Sequence, residues 1–210
     1  MSGLTVRDAG PDDIAAITAI YAESVANGRG TFELEAPDET EMASRLAAVA
    51  ALGLPRLVVE IDGAVAGYAY AGPFRTRQAY RYMVEDSIYV APWARGRGVA
   101  GALLDALIVR CEALGLRQMV AVIGDSENVG SIALHRTRGF TRLRGLIHVR
   151  ACAVGGQAQP LQQFQTVAGG GGKHGRKHAK IPVGGVGSLA AAAGRGKPVH
   201  EGFDSRADGP

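Results

Sequence analysis

Between Val90 and Ala100 the chain reads VAPWARGRGVA, and no other stretch limits the fold so tightly. A β-rich run over residues 82–90 ends there at Ala91-Pro92. Glycines follow at 96 and 98, and Val99, Leu103, Leu107, Cys111 and Leu114 then recur at helical spacing until Gly115. A strand thus hands over to a helix through a glycine-rich turn. Without a Cβ at 96 or 98, unpaired amides of the first helical turn can face a ligand closely, and the helix dipole favours an anion there. A diphosphate suits such a seat. Two other readings use the same residues. One is a tight strand-to-helix turn with no ligand. The other is a dinucleotide fingerprint, because Gly96, Gly98 and Gly101 satisfy G-x-G-x-x-G. That fingerprint sets its first glycine directly off the strand, whereas residues 91–95 intervene here, and Asp125 matches its acidic residue only loosely.

The flanking patterns are those of an α/β domain. Leu4 to Arg7 alternates, and Asp12 or Asp13 is placed to cap a helix carrying Ile14, Ile17, Ile20 and Tyr21 on one stripe, with Gly28 as its stop. Asp38 and Glu41 have capping-box spacing at the head of a second helix through Met42, Leu46 and Val49 to Gly53. Residues 56–61 and 64–70 predict strands joined by Asp62-Gly63, a pair that tolerates the positive φ of a tight hairpin. Residues 117–123 predict another strand and 128–138 a helix stopping at Gly139-Phe140. Ile147, Val149, Ala151 and Ala153 alternate as a late strand would, as do a few residues near 161–167.

Charge divides the chain unevenly. Residues 1–154 carry 16 Arg, no Lys and 17 acidic residues for a net of −1, whereas residues 155–210 carry 7 basic and 3 acidic residues for +4. The even balance of the front part argues against a nucleic-acid-binding face as its purpose. The rear holds 14 of the 30 glycines and all four lysines, and its hydrophobic periodicity is mostly lost. Residues 1–154 are therefore read as the domain, and 155–210 as an atypical Gly/Lys-rich tail, disordered or altered in reading frame. Cys111 and Cys152 sit in no CxxC or Cys/His cluster, and His174 and His178 lack further ligands, so no metal is expected. The first residues lack a basic-then-apolar leader, and no run approaches the roughly 18 apolar residues of a membrane span. The chain is accordingly read as cytoplasmic, with neither nucleic acid nor membrane as partner.

Residues 90–100 resemble motif A of the GNAT superfamily of N-acetyltransferases, whose R-x-x-G-x-G/A core binds the pyrophosphate of coenzyme A. A second motif follows in order: Asn128, Ser131, Leu134-His135 and Gly139-Phe140 are similar to the family's N-x-x-S/A-x-x-L-Y/H-x-x-x-G-F segment. Residues 72–90 resemble the stretch before motif A in phosphinothricin and methionine sulfoximine acetyltransferases, and the wider likeness covers about residues 4–145. The resemblance implies a mixed, splayed β-sheet of about six or seven strands flanked by about four helices. It implies acetyl-CoA as cosubstrate, direct acetyl transfer to the α-amine of a small amino-acid-like acceptor, and a homodimer by analogy. Carried over by position, Val90, Arg95, Gly96, Arg97, Gly98, Val99, Ala100, Asn128 and Ser131 would contact the cofactor. Glu85 falls at the place of the base, and the backbone N–H near Val90, bared by a strand bulge, would face the developing oxyanion. His135 stands where the wider family often has Tyr, as a candidate acid or hydrogen-bond donor to the departing thiolate. Phe32, within Gly30-Thr31-Phe32-Glu33, and Arg75, Arg77 and Tyr80 fall where the subfamily meets its acceptor.

The chemistry agrees with these residue types. An amino acid arrives as ammonium and must lose a proton before attacking a thioester, which calls for a carboxylate near the amine. Two arginines offer bidentate donors to a carboxylate or phosphinate. Structural readings stand beside each role. Glu85 could be a solvated strand edge, with Asp86 structural. Arg75 and Arg77 could lie on a surface loop, His135 could be a satisfied buried histidine, Asn128 could cap its helix and Ser131 could simply pack. At least one of Tyr80 and Tyr82 is expected in the core. Cys111 falls mid-helix among core positions, so a covalent enzyme intermediate is not expected. Rival functions are an acetyltransferase for a protein N-terminus or a polyamine, and a CoA- or nucleotide-binding module without activity. From about Gly145 the chain departs from the subfamily's G-R-W-L/H-D continuation. A frame change near residues 143–150 would account for that departure, and translating the alternative frames of the coding DNA tests it.

Overall fold

The computed structural model describes residues 3–27, 30–144, 147–154 and 157–158. The expected stop at Gly28, the alternation near residues 161–167 and nearly all of the Gly/Lys-rich tail lie outside the described residues. The elements run β1 (Leu4–Asp8), α1 (Ile14–Asn27), α2 (Glu39–Ala51), β2 (Arg56–Ile61), β3 (Ala64–Pro73) and β4 (Met83–Val90). They continue as α3 (Val99–Ala113), β5 (Gln118–Val122), α4 (Val129–Arg136), β6 (Thr141–Arg144) and β7 (Ile147–Ala151), with a small pair, β8 (Ala153–Val154) and β9 (Gln157–Ala158). Strands one to seven form one open sheet in the order β1-β2-β3-β4-β5-β7-β6. The four helices accompany this mixed sheet, as expected of the family resemblance.

Local sequence explains most boundaries. Asp62 and Gly63 take φ of 52° and 81°, the left-handed values a two-residue hairpin needs to match strand twist. Asp38 Oδ1 accepts the Glu41 N–H at 2.8 Å and opens α2. Asp13 behaves differently from the expected cap. It accepts the Gly10 N–H at 2.7 Å and takes both Arg7 Nη1 and Nη2 at 2.7 Å, while Arg7 also reaches Glu60 on β2. A carboxylate 4% exposed gains more from a forked guanidinium than from a helix amide, so Asp13 ties β1 and β2 to the head of α1.

The core lies between the sheet and the helices. On α3, Val99, Leu103, Leu104, Leu107 and Cys111 are buried, and each fully covered leucine is worth about 1.5–3 kcal/mol. Leu114, expected to continue that stripe, is the C-cap and 54% exposed. Gly67 on β3 lets α3 approach: a Cβ there would lie 2.8 Å from Tyr89 O and 2.9 Å from Val99 Cγ1.

One feature of the sheet positions the site. The parallel β4 and β5 pair only at Met83↔Gln118, Val84↔Met119 and Glu85↔Val120. Beyond Glu85, β4 stays with β3 as far as Gly67↔Val90, whereas β5 stays with β7 through Val122↔Ile147. The sheet therefore splays open after Glu85. The bulge expected near Val90 is absent, since β3 and β4 keep continuous register through Gly67↔Val90; the register shifts lie between β2 and β3, where Ala66 has no partner in β2, and between β6 and β7 at Arg142/Arg144. Separation of two strands, not an inserted residue, bares the edge of β4. Among the described residues no helix is long and apolar enough to cross a membrane.

Candidate active site

A cleft of about 1140 Å³ occupies the splay and runs to the start of α3. At that helix Gly98 is the N-cap with φ 82°, and Gly96 has φ 75°, a region where a residue with a Cβ is penalised by roughly 1–2 kcal/mol. The first helical bond runs from the Ala102 N–H to Gly98 O at 3.0 Å, so the amides of Val99, Ala100 and Gly101 precede it without an intrahelical acceptor. The amides of Arg95 and Arg97 instead bond Pro92 O and Ala94 O, each at 3.4 Å. A Cβ on Gly101 would lie 2.5 Å from Arg138 Nη2, and Asp105 holds that guanidinium through Nε at 2.8 Å and Nη2 at 3.1 Å. Three aligned amides, the positive end of a helix dipole and a neighbouring guanidinium fit a diphosphate. The side chains of Arg95 and Arg97 are exposed, Arg97 lying over the Trp93 ring at 5.7 Å.

Val90 ends β4 at the mouth of the cleft. The next amide, Ala91 N–H, is spent on Ala66 O at 2.9 Å across β3. Successive amides of an extended strand point to opposite edges, which directs the Val90 N–H toward the open side. Glu85 is half-buried at the last paired rung before the splay. Burial pushes its carboxyl up to about 7, with the adjacent Asp86 charge adding to the rise and Arg75 opposing it. A carboxyl poised there can accept a proton near neutrality.

His135 has both ring nitrogens engaged. Nδ1 lies 2.8 Å from Ser131 O and 3.3 Å from Ser131 Oγ, and Nε2 lies 3.0 Å from Asp86 Oδ2. A carbonyl and a carboxylate both accept, so the pair favours a doubly protonated ring. Burial alone would lower the imidazole, but the Asp86 hydrogen bond and charge and the Ser131 carbonyl leave it raised. In this arrangement neither nitrogen is left to meet a thiolate. The pair bolts α4 to β4. Asn128 caps α4, its Oδ1 accepting the Ser131 N–H at 3.1 Å, and both residues line the cleft.

The residues expected around the acceptor are not all brought together. Phe32 lines the cleft and Arg75 is near enough to bias Glu85, yet Arg75 and Arg77 are exposed and Arg75 lies over Phe74 at 5.2 Å. Tyr80 meets Phe74 edge-on at 5.9 Å in a small second core, while Tyr82 is exposed with Arg81 and Arg117 over its ring at 4.4 and 4.5 Å. Asp86, structural in the sequence reading, is so here as the partner of His135. Gly124 and Arg45 belong to no motif and are not legible in the sequence. A lone glycine just past a strand was the one signal available for Gly124.

The Acetyltransferase (GNAT) family profile matches residues 17–140. The chain is 51% identical over 138 residues to phosphinothricin N-acetyltransferase of Alcaligenes faecalis, an alignment covering 66% of this chain and 70% of that protein. It is 39% identical over 138 residues to the L-methionine sulfoximine/L-methionine sulfone acetyltransferase of Salmonella typhimurium, covering 66% and 80%. Among solved structures, a GNAT superfamily phosphinothricin acetyltransferase from Sinorhizobium meliloti in complex with AcCoA superposes with a TM-score of 0.68 at 44% identity, covering 77% of this chain and 95% of that one. With a splayed sheet, an open β4 edge and a glycine-capped α3 in place, the chain belongs to the acetyltransferase (GNAT) family.

Proposed function

We propose that this protein is an acetyl-CoA-dependent N-acetyltransferase acting on the α-amino group of a small amino-acid-like acceptor of the phosphinothricin or methionine sulfoximine type. The observation that carries the reading is the place of Glu85: a half-buried carboxyl pushed up to about 7 where β4 and β5 part, in the cleft that the start of α3 and Phe32 also line. The names of the relatives support the acceptor class. Acetyl-CoA supplies the acetyl group as an activated thioester. The amides of Val99, Ala100 and Gly101 hold its diphosphate, and the Val90 N–H donates to the thioester carbonyl oxygen. Glu85 takes the proton from the acceptor ammonium and frees the nitrogen lone pair to attack the thioester carbon. The C–S bond then breaks, and the leaving coenzyme A thiolate takes up a proton as the amide nitrogen loses its second one, so that free thiol is released. His135 and Asp86 keep α4, and with it Asn128 and Ser131, in register with β4. Arg75, exposed but close enough to bias Glu85, supplies positive charge at the acceptor end.

The test is release of free thiol from acetyl-CoA by the purified protein across a panel of amines. Methionine sulfoximine and phosphinothricin should accelerate release well above a polyamine or a peptide N-terminus. Absence of acceleration by either would sink the acceptor assignment.

A further inference from the structure

Residues 30–33, between α1 and α2, line the same cleft as Glu85, and two side-chain contacts pin them on either side of Phe32. On one side the Tyr21 hydroxyl of α1 and Thr31 Oγ1 lie 2.9 Å apart, and Thr31 Oγ1 accepts the Glu33 N–H at 3.2 Å. On the other, Arg45 of α2 donates through Nη1 to both Glu33 oxygens, at 2.8 and 3.1 Å, while its Nε holds Glu41 at 3.0 Å. Arg45 is 13% exposed and, like Glu33, lines the cleft. Between these anchors the Phe32 ring reaches across to the end of β5. A Cβ on Gly124 would stand 2.8 Å from Phe32 Cζ and 3.2 and 3.3 Å from Cε1 and Cε2. The ring therefore occupies the place a side chain at 124 would take, although Phe32 itself is 50% exposed.

Resting on the acetyltransferase reading, we infer that Arg45 is a positioning residue for the acceptor pocket: through Glu33 it holds residues 31–33 so that Phe32 closes the cleft onto Gly124. Arg45 touches neither substrate nor the reacting atoms in this role. The residues that seat the cofactor lie on α3 and α4, so removing Arg45 should change acceptor binding and spare cofactor binding. A pinned backbone on both sides of one aromatic ring is what preorganises a wall, because ordering it after ligand arrival would subtract from affinity.

The experiment uses the full chain and three variants: Arg45→Met, which keeps the aliphatic stem, Arg45→Lys, and Gly124→Ala. Arg45→Met should raise the KM for methionine sulfoximine about 10-fold with kcat and the KM for acetyl-CoA within about 3-fold, the pattern of lost acceptor binding. Arg45→Lys should recover part of the loss, since an ammonium is a point charge where the guanidinium forks. Gly124→Ala should give the same phenotype, and the Arg45→Met/Gly124→Ala double variant should lose less than the two single losses combined, because both act on one ring. Amide hydrogen exchange supplies a readout independent of turnover: residues 30–37 should exchange faster in Arg45→Met and residues 90–101 should not. An unchanged acceptor KM, an equal rise in both KM values, or unaltered exchange over residues 30–37 would each overturn the inference. Wild-type protein that turns over no amino-acid acceptor would instead sink the function reading, and the exchange measurement would still decide the role of Arg45.

Discussion

The two walls of the cleft are built from different materials. The wall proposed for the cofactor is backbone: amides of Val99 to Gly101 ahead of the first helical bond and the outward Val90 N–H, all within one strand-turn-helix segment. The wall proposed for the acceptor is side chain: Phe32 from the segment between α1 and α2, Glu85 from β4, and the Cβ-free position of Gly124 after β5, braced by Arg45 of α2. Backbone donors tolerate many side chains provided glycine stands where φ is positive, so that wall can stay fixed. Side-chain walls change with single substitutions, so one scaffold can serve different amines. On the proposed function, cofactor identity and acceptor identity would be held by separable parts of this molecule.

If the walls are separable, Glu85→Gln should show it with the largest effect. Loss of the base should lower kcat about 10²–10⁴-fold, while the rise in Tm on adding acetyl-CoA persists. Because the carboxyl must be ionised to accept a proton and is pushed up to about 7, kcat/KM of the wild type should climb through that pH and level off above it, whereas residual activity of the variant should lack this limb. Loss of the acetyl-CoA stabilisation along with turnover would show that Glu85 belongs to both walls.

Asp86→Asn probes the bolt behind them. His135 has its imidazole raised in the folded protein, so the ion pair stabilises fully below the ordinary imidazole value and fades as pH rises through the folded one. Thermal denaturation should therefore find the variant weaker by about 1–3 kcal/mol at mildly acid pH, with the gap narrowing toward alkaline pH. A constant gap across that window would mean that the pair is not ionic.

The same division explains what could be read in the residues. The turn at 95–98, the Asp62-Gly63 hairpin and the Asp38 cap depend on φ and on donors a few positions away, and each formed where its local chemistry placed it. Asp13 departs from the expected cap because Arg7 of β1, itself held by Glu60 of β2, forks onto its carboxylate, and neither strand is its neighbour in the sequence pattern of α1. His135 reads two ways from sequence because Asp86, which lies against its Nε2, is 49 residues distant. Arg45 and Gly124 were illegible for a related reason: neither has a motif, and each acquires meaning only from Glu33 or Phe32 folded against it. The Val90 N–H faces an open edge without the expected bulge, since local sequence can signal a bulge but cannot show that β5 turns away to pair with β7.

The smallest effect belongs to the turn itself, and Gly98→Ala isolates it. A Cβ on Gly98 would meet nothing within 4 Å, so the substitution introduces no clash and its cost is the left-handed φ of 82° alone, roughly 1–2 kcal/mol. The turn can relieve that strain only by rotating Gly98, which caps α3 and accepts the Ala102 N–H, and the rotation re-aims the amides of Val99 and Ala100. The KM for acetyl-CoA should therefore rise about 10-fold, the factor that 1.4 kcal/mol represents, with the acceptor KM unchanged. Gly101→Ala is the control: its helical φ is ordinary, and the atom it would meet is the flexible end of Arg138. That variant should move the cofactor KM less than Gly98→Ala. The reverse ranking would put Arg138, and not the geometry of the bare amides, at the centre of cofactor binding.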